Sequence, residues 1–388
     1  MMYPKLILKP GKEKSILRKH PWVFSGAVFG VTKELTDGEL VEVVDTHKNI
    51  LGTGYFSDKG SIVVRLLTFG SEPFTTTFWS EKIQIAWNIR LNLLNYDDTN
   101  AFRVIHGEGD GIPGLIIDFY NKNWVIQAHS TGIFQQIDQI AKAIQTLLPD
   151  FCNTIYCKSA ATLPNIGTDY FLFGTETETI AKENNINFAV NWVEGQKTGF
   201  FLDQRDNRKL VAHFAKNKKV LNTFCYTGGF SIYAMSAGAT LVTSVDISQK
   251  AVDLAASNMQ LNFPDANHNA VAADVFTFMK EHTQQYDVII LDPPAFAKSL
   301  KSKHTATQAY KRLNIAGLKA LAPNGILFTF SCSQVIDDVL FYNTIAAAAI
   351  ETGRTIRVLH KLSQGPDHPT NIYHPEGHYL KGLVLFVE

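Results

Sequence analysis

The segment from Tyr286 to Ser333 constrains the fold of this chain more than any other. It contains two short apolar runs, at 288–291 and 326–330, separated by a stretch with helical spacing at 305–321. Apolar runs of this length between chain-breaking residues are typical of buried strands. A strand, a helix and a second strand in this order predict a right-handed parallel crossover, and therefore an α/β sheet.

Each of the two predicted strands is followed by chemically distinctive residues. The sequence Asp-Pro-Pro-Ala-Phe at 292–296 follows the first strand, and Ser-Cys-Ser at 331–333 follows the second. Proline ends a strand because it has no N–H to donate to a neighbour. Ligands of open α/β sheets bind at the carboxyl ends of the strands. We therefore predict that Asp292, Phe296 and Cys332 line a site.

Three earlier strands are predicted to extend the same sheet, at 219–224, 241–245 and 268–273. Asp246 and Asp274 follow the last two, so three strand ends carry an acid. Carboxylates repel phosphate, but they accept hydrogen bonds from ribose hydroxyls and attract a cation. The glycine turn after the first strand also lacks the G-x-G-x-x-G pattern of dinucleotide sites. Both features favour S-adenosylmethionine over NAD.

The polar segment 191–208 lies just before this α/β region. We interpret it as a loop that covers a ligand, because it combines two glycines, two adjacent phenylalanines and many hydrogen-bonding side chains. The alternative is a linker that enters a helix at Asp203. The predicted cofactor-binding residues are Gln196, Thr198, Asp203, Arg205, Phe224, Tyr226, Gly228, Asp246, Ile247, Asp274 and Asp292.

Cys332 indicates the chemistry at the methyl acceptor. A thiolate that adds to carbon 6 of a pyrimidine turns carbon 5 into a nucleophile, which splits a difficult step into two. We predict that Cys332 is this nucleophile, that Asp292 is catalytic and hydrogen-bonds the base, and that Phe296 and Lys298 contact the substrate. The alternative is methyl transfer to a ring or exocyclic nitrogen, which requires Asp292 and Phe296 but no cysteine.

The residue pattern of the N-terminal half predicts a small β module followed by a small α+β domain. The β module is predicted because short runs typical of strands alternate with turn residues. Its first 20 residues contain six lysines and arginines against one acid, and we predict that Lys12, Arg18 and Lys19 contact RNA. A solvated charged segment beside a buried tryptophan is the alternative. In the α+β domain we interpret His106 as a structural, hydrogen-bonded histidine.

Composition limits the function classes. The chain has 388 residues, zero net charge at pH 7 and 45% hydrophobic residues, as expected for a soluble protein of two or three domains. With no net charge, any nucleic-acid site must be a local patch. The four cysteines form no zinc motif, so we predict free thiols, a reducing cytosol and no metal site. No apolar run is long enough to predict a membrane helix.

Taken together, these motifs resemble the bacterial large-subunit ribosomal RNA cytosine-5 methyltransferases. The matching segments are 18–26, 106–115, 196–208, 224–230, 292–296, 331–333, 366–369 and 379–382. Because these matches follow one another in order along nearly the whole chain, together they are far more specific than any one of them.

The resemblance implies an N-terminal PUA RNA-binding domain, a small central α+β domain and a C-terminal class I methyltransferase. Their predicted ranges are 1–72, 73–190 and 191–388, and the last has a Rossmann-like, seven-stranded sheet. It also implies S-adenosylmethionine as donor, Cys332 as nucleophile, ribosomal RNA as substrate, a cytoplasmic location and a homodimer. A noncatalytic RNA-binding protein with a vestigial methyltransferase fold is a further alternative.

Overall fold

The computed structural model describes residues 3–297 and 299–388, and the chain divides into two compact units. The first unit runs to Asn184 and also contains Ala189–Leu202 and Pro366–Gly377. The second consists of Asn185–Phe188, Asp203–Gly365 and His378–Glu388. Within the described ranges, no helix is long and apolar enough to cross a membrane.

The N-terminal part of the first unit is a β module with one six-stranded sheet. Its elements are β1 (Lys5–Leu8), α1 (Lys14–Leu17), β2 (Trp22–Phe24), β3 (Val28–Val31), β4 (Leu40–Val44), β5 (Ile50–Phe56) and β6 (Ile62–Phe69). The strand order is β2-β6-β5-β4-β1-β3. Alternate side chains such as Leu6, Val41 and Val64 are fully buried and form its core, as expected for a sheet with one face packed inward.

A five-stranded sheet covered by helices forms the rest of this unit. Its elements, with a following pair of strands, are α2 (Phe78–Leu93), β7 (Ala101–His106), β8 (Leu115–Tyr120), β9 (Asn123–Ala128), α3 (Thr131–Phe134), α4 (Ile137–Leu147), β10 (Thr154–Lys158), β11 (Asp169–Phe173), β12 (Glu178–Glu183) and β13 (Ile186–Asn191). The first three residues of β13 belong to the second unit. The strand order is β11-β10-β9-β8-β7. The predicted β module and α+β domain thus form separate sheets within one compact unit.

A buried ion pair fixes the Pro366–Gly377 segment inside the first unit. Arg90 is fully buried and donates to both carboxylate oxygens of Asp110, at 2.5 and 2.7 Å. Its guanidinium also donates to the carbonyl oxygen of Asp367 at 2.9 Å. The backbone N–H of His106 donates to Asp110 Oδ2 at 2.6 Å. The ring Nδ1 of His106 lies 3.1 Å from Arg103 Nη1, as expected for a hydrogen-bonded structural histidine.

The second unit is built on a seven-stranded sheet. Its elements are α5 (Arg205–Ala215), β14 (Lys219–Thr223), α6 (Gly229–Ser236), β15 (Leu241–Asp246), α7 (Gln249–Asn262), β16 (His268–Ala272), α8 (Val275–Glu281), β17 (Tyr286–Leu291), α9 (Lys303–Ala320), β18 (Leu321–Ser331), α10 (Asp338–Thr352), β19 (Ile356–Leu362) and β20 (Lys381–Val387). The strand order is β16-β15-β14-β17-β18-β20-β19. Strands β14 to β18 are parallel, and β20 pairs antiparallel with both β18 and β19. The predicted Rossmann-like, seven-stranded α/β fold is confirmed.

The crossover predicted from the sequence is present as β17, α9 and β18. Tyr310 and Leu313 of α9 are fully buried against the sheet. A Cβ added to Gly317 would lie 2.8 Å from Leu291 Cδ1, so this glycine allows the helix to approach β17 closely. The packing holds the ends of β17 and β18 side by side.

Candidate active site

The carboxyl ends of three parallel strands meet at one edge of the second unit's sheet. Thr223 of β14 is in register with Val245 of β15 and with Leu291 of β17. Asp246 and Asp292 follow these partners directly. Strand β14 lies where the strand order reverses, with β15 on one side and β17 on the other. Ligands of open α/β sheets bind in the crevice at such a switch point.

The turn after β14 has an unusual backbone. Phe224, Tyr226 and Gly228 all have positive φ, at 53°, 45° and 77°. A positive φ costs a non-glycine residue about 1–3 kcal/mol, and such residues cluster at functional sites. Gly228 also has no space for a side chain, since an added Cβ would lie 2.9 Å from Ala255 Cβ. The turn therefore brings bare backbone to the switch point.

Backbone N–H groups orient the acid at the end of β15. Asp246 accepts hydrogen bonds from the N–H of Tyr226 at 3.2 Å and from the N–H of Ser248 at 3.0 Å. These two bonds fix the orientation of the half-buried Asp246 carboxylate, which can still accept further hydrogen bonds. Asp274, which follows β16, is exposed and caps α8 by accepting from the N–H of Thr277 at 2.9 Å.

Asp292 lies in a group of polar residues from the start of α5. Burial and the charge of Asp203 raise the pKa of Asp292 to about 7, against a hydrogen bond from Gln204 and the charge of Arg208. Asp203 Oδ2 accepts from the Tyr379 hydroxyl at 2.7 Å. Its Oδ1 is buried and has no hydrogen-bond partner among the described residues. Two close carboxylates resist ionising together, so this pocket favours a cation.

Cys332 is a half-buried thiol at the end of β18. Burial, followed by the charges of Asp292 and Asp203, raises the pKa of this thiol to about 11. The thiol is therefore protonated at neutral pH. The positive charge of Lys381 has the opposite effect and lowers the pKa of the thiol. Lys381 is buried, and its Nζ donates to the Ser333 carbonyl oxygen at 2.9 Å.

The loops after β17 and β18 are bonded to each other. The Ala297 N–H donates to Ser333 Oγ at 3.4 Å, and the Tyr310 hydroxyl lies 3.1 Å from the same oxygen. The half-buried ring of Phe296 packs against Tyr310 with a centroid distance of 4.7 Å. These contacts hold the loop that carries Asp292 and Phe296 next to the loop that carries Cys332.

Comparison with known proteins agrees with this geometry. The PUA-like domain family matches residues 6–69, and the S-adenosylmethionine-dependent methyltransferase family matches residues 163–377. Ribosomal RNA large subunit methyltransferase I of Alteromonas mediterranea is 41% identical over 100% of this chain and 99% of its own length. The protein of the same name from Aeromonas hydrophila is 39% identical over 99% of each chain. The chain belongs to the ribosomal RNA large subunit methyltransferase I family.

Solved structures resemble this methyltransferase over its full length. A structure from Streptococcus mutans is 26% identical with a TM-score of 0.85, and it covers 100% of both chains. The crystal structure of SMU.776 complexed with SAH is 27% identical with a TM-score of 0.86, again over 100% of both chains. The predicted methyltransferase fold and S-adenosylmethionine dependence are confirmed.

The described residues fit S-adenosylmethionine at the switch point. Asp246 would hold the ribose hydroxyls, and Asp274 would lie toward the adenine. The bare backbone of the turn at 226–228 would meet the methionine part. The unsatisfied Asp203 Oδ1 and the carboxylate of Asp292 suit the positive sulfonium. These individual roles stay predictions.

The predicted residues of the polar segment are divided between the units. Gln196 is exposed and Thr198 is fully buried in the first unit, where Thr198 Oγ1 donates to Asp118 Oδ2 at 2.5 Å. The Thr198 hydroxyl is thus occupied locally, and its contact with the cofactor stays a prediction. Asp203 and Arg205 lie in the second unit, where α5 begins at Arg205 and buries it.

The remaining predicted contacts lie away from the strand ends or outside the described residues. Ile247 is 77% exposed beside Asp246. Lys12, Arg18 and Lys19 are exposed in the β module of the methyltransferase. Lys298 lies outside the described residues.

Sequence reasoning missed the position of Lys381 near Cys332. The sequence does contain a signal, since this lysine opens the otherwise apolar run of β20. Lysine is rarely buried without a specific partner, and buried charged residues of this kind are often found in functional pockets.

Proposed function

We propose that this methyltransferase forms 5-methylcytosine in large-subunit ribosomal RNA through a covalent bond between Cys332 and cytosine carbon 6. The names of its relatives support the RNA substrate. The choice of cytosine rests on the resemblance to cytosine-5 methyltransferases. The observation that carries the covalent mechanism is geometric: Cys332 follows β18 and Asp292 follows the neighbouring parallel strand β17, so the thiol and the carboxylate lie at adjacent strand ends.

The surrounding side chains provide a route for the thiol proton. Asp292, with a pKa raised to about 7, is partly ionised at neutral pH and is a proton acceptor of suitable strength. Lys381 stabilises the thiolate that remains. The cofactor supplies an electrophilic methyl group, and its positive charge favours the ionised forms of both Asp292 and Cys332.

The covalent steps conserve atoms and charge. Cys332 Sγ bonds to carbon 6, and the electron pair of the 5,6 double bond shifts to carbon 5. Asp292 passes the proton taken from the thiol to ring N3, so the adduct is neutral. Carbon 5 then bonds to the methyl group donated by the cofactor, whose sulfur would keep the electron pair of the broken bond and become neutral. A general base removes the proton of carbon 5 and takes up the positive charge. The Sγ–carbon 6 bond breaks, Cys332 leaves as thiolate and the double bond is restored. The N3 proton returns through Asp292 to the thiolate, so that the neutral nucleobase and the thiol are regenerated.

The test uses Cys332→Ala protein beside wild type, with methyl-labelled cofactor and unmodified large-subunit ribosomal RNA. We expect labelled 5-methylcytidine from wild type and at least a thousandfold loss in the variant. RNA containing 5-fluorocytidine should trap a protein–RNA adduct, because carbon 5 then has no proton to lose. Cys152→Ala, at a half-buried free cysteine of the first unit, is the matched control and should retain the trap.

The two alternative functions predict different results. A nitrogen methyltransferase would transfer equally well with Ala at position 332 and would form no adduct. A noncatalytic RNA-binding protein would transfer nothing, and S-adenosylmethionine would not raise its thermal midpoint.

We also propose that the β module binds RNA phosphates through Lys12, Arg18 and Lys19, which are exposed in the first unit. Replacing all three with alanine should weaken RNA binding and reduce its salt dependence by about 0.7–0.9 in log–log slope for each phosphate that the variant no longer neutralises. The control replaces two exposed lysines of the second unit, Lys216 and Lys218. An equal loss of affinity in both variants would refute a specific surface.

We further propose a cytoplasmic homodimer, as the resemblance implies. Sedimentation equilibrium of the full chain tests the dimer, and a single monomeric species would refute it.

A further inference from the structure

Two histidines and a glutamate from opposite ends of the sequence meet in the first unit. His20 lies just before β2, whereas His374 and Glu376 belong to the Pro366–Gly377 segment. The His20 Nε2–Glu376 Oε1 distance is 3.6 Å, and the His374 Nε2–Glu376 Oε2 distance is 3.7 Å. One nitrogen or oxygen atom from each of the three residues lies within 4.8 Å of the others.

His374 has unmet hydrogen-bonding capacity. The residue is 3% exposed, and neither ring nitrogen has a hydrogen-bond partner among the described residues. A buried polar group without a partner is destabilising, so each such case calls for an explanation. The distances to Glu376 are also longer than the 2.7–3.2 Å of a hydrogen bond. An ion pair alone therefore does not satisfy this ring.

The surroundings hold the imidazole of His374 in place. The Trp22 ring packs edge-on against it at a centroid distance of 4.3 Å. The Trp22 indole N–H donates to Glu108 Oε1 at 2.8 Å, which fixes the indole in turn.

We propose that His20, His374 and Glu376 form a binding site for a divalent transition metal ion, with Zn²⁺ preferred. Two imidazole nitrogens and a carboxylate oxygen are donors that zinc accepts, whereas Mg²⁺ and Ca²⁺ select oxygen ligands. Ligand atoms around a tetrahedral zinc ion are about 3.3 Å apart. With one ligand atom from each residue, the three atoms lie within 4.8 Å of one another, so closing to this spacing requires shifts of up to about 1.5 Å.

The side chain of Glu376 has the freedom to make this shift. It is 50% exposed, whereas His20 is 17% exposed and His374 is 3% exposed. Water completes the fourth position from the exposed side. The metal ion joins the Pro366–Gly377 segment to the β module within the first unit and thereby stabilises that unit.

The test uses the full chain, stripped of metal with a chelator and then dialysed. Calorimetric titration with Zn²⁺ should give one equivalent bound per chain. Titration with Co²⁺ should produce the intense visible bands of tetrahedral nitrogen and oxygen coordination. Zinc should also raise the thermal midpoint. Glu376→Gln should weaken zinc binding at least tenfold and remove both the cobalt bands and the thermal shift.

Two further variants separate the site from surface effects. Glu72→Gln changes an exposed glutamate elsewhere in the same unit and should behave as wild type. His20→Gln should weaken zinc binding as Glu376→Gln does. Absence of stoichiometric binding in wild type, or equal affinity in wild type and Glu376→Gln, would overturn the proposal. Neither result would affect the assignment of methyl transfer, because the readouts do not involve activity.

Discussion

Replacing Asp292 with asparagine should increase the rate at which Cys332 is alkylated but decrease the rate of methyl transfer. With a thiol pKa of about 11, only about one Cys332 in a thousand is ionised at pH 8. The negative charge of Asp292 is one cause of that high pKa, and each unit by which the pKa falls increases the thiolate tenfold. We expect alkylation of Cys332 by iodoacetamide to become about tenfold faster in Asp292→Asn. Loss of the proton acceptor should slow methyl transfer by about 10²- to 10⁴-fold.

The two rates are measured separately. Mass spectrometry of the peptide that contains Cys332 gives the alkylation rate, and labelled methyl groups in RNA give the transfer rate. In wild type, kcat/KM should fall as pH drops below about 7, because protonation removes the basic form of Asp292. The asparagine variant should lack this acidic limb. Transfer within threefold of wild type, or alkylation that slows together with transfer, would refute the proposed role of Asp292.

Three other substitutions test the site and the fold. Gly228→Ala should destabilise the protein by about 1–3 kcal/mol and weaken S-adenosylmethionine binding at least tenfold in calorimetry. The control is Gly238→Ala, because Gly238 has a similar φ of 86° but no atom within 4 Å of an added Cβ. This variant should bind S-adenosylmethionine as wild type does. Asp246→Ala should raise the Kd for S-adenosylmethionine about 10- to 100-fold by loss of charged hydrogen bonds; an unchanged Kd would exclude a ribose contact. Arg90→Met should cost about 3–5 kcal/mol in urea unfolding, because it leaves a buried carboxylate unpaired, while Arg357→Met at an exposed ion pair should cost under about 1 kcal/mol.

The main sheet was predictable because its signals are local. The apolar runs that became β17 and β18 are bounded by prolines and by small polar residues, and parallel strands bring their ends to one edge. The positions of Asp246, Asp292 and Cys332 at that edge follow from this rule. The predicted helix at 305–321 is observed as Lys303–Ala320, and the predicted strand at 326–330 extends to Leu321–Ser331.

Features that depend on distant partners were not predictable from sequence patterns. Lys381 lies near Cys332 only because β20 inserts between β18 and β19. The hydroxyl of Thr198 is bonded within the first unit, although its neighbours in sequence suggested a ligand loop. The cluster around His374 combines residues from both ends of the chain, so no motif spacing reveals it.

The position of β20 has a consequence for synthesis of the protein on the ribosome. This strand is the last described element to be made, yet it lies inside the sheet and pairs with two neighbours. A nascent chain that stalls before residue 381 leaves β18 and β19 without their shared partner, and it lacks the ammonium group beside Cys332. Cys332 therefore gains the nearby charge of Lys381 only after residue 381 has been made, and chains that terminate before this residue should be inactive and readily degraded.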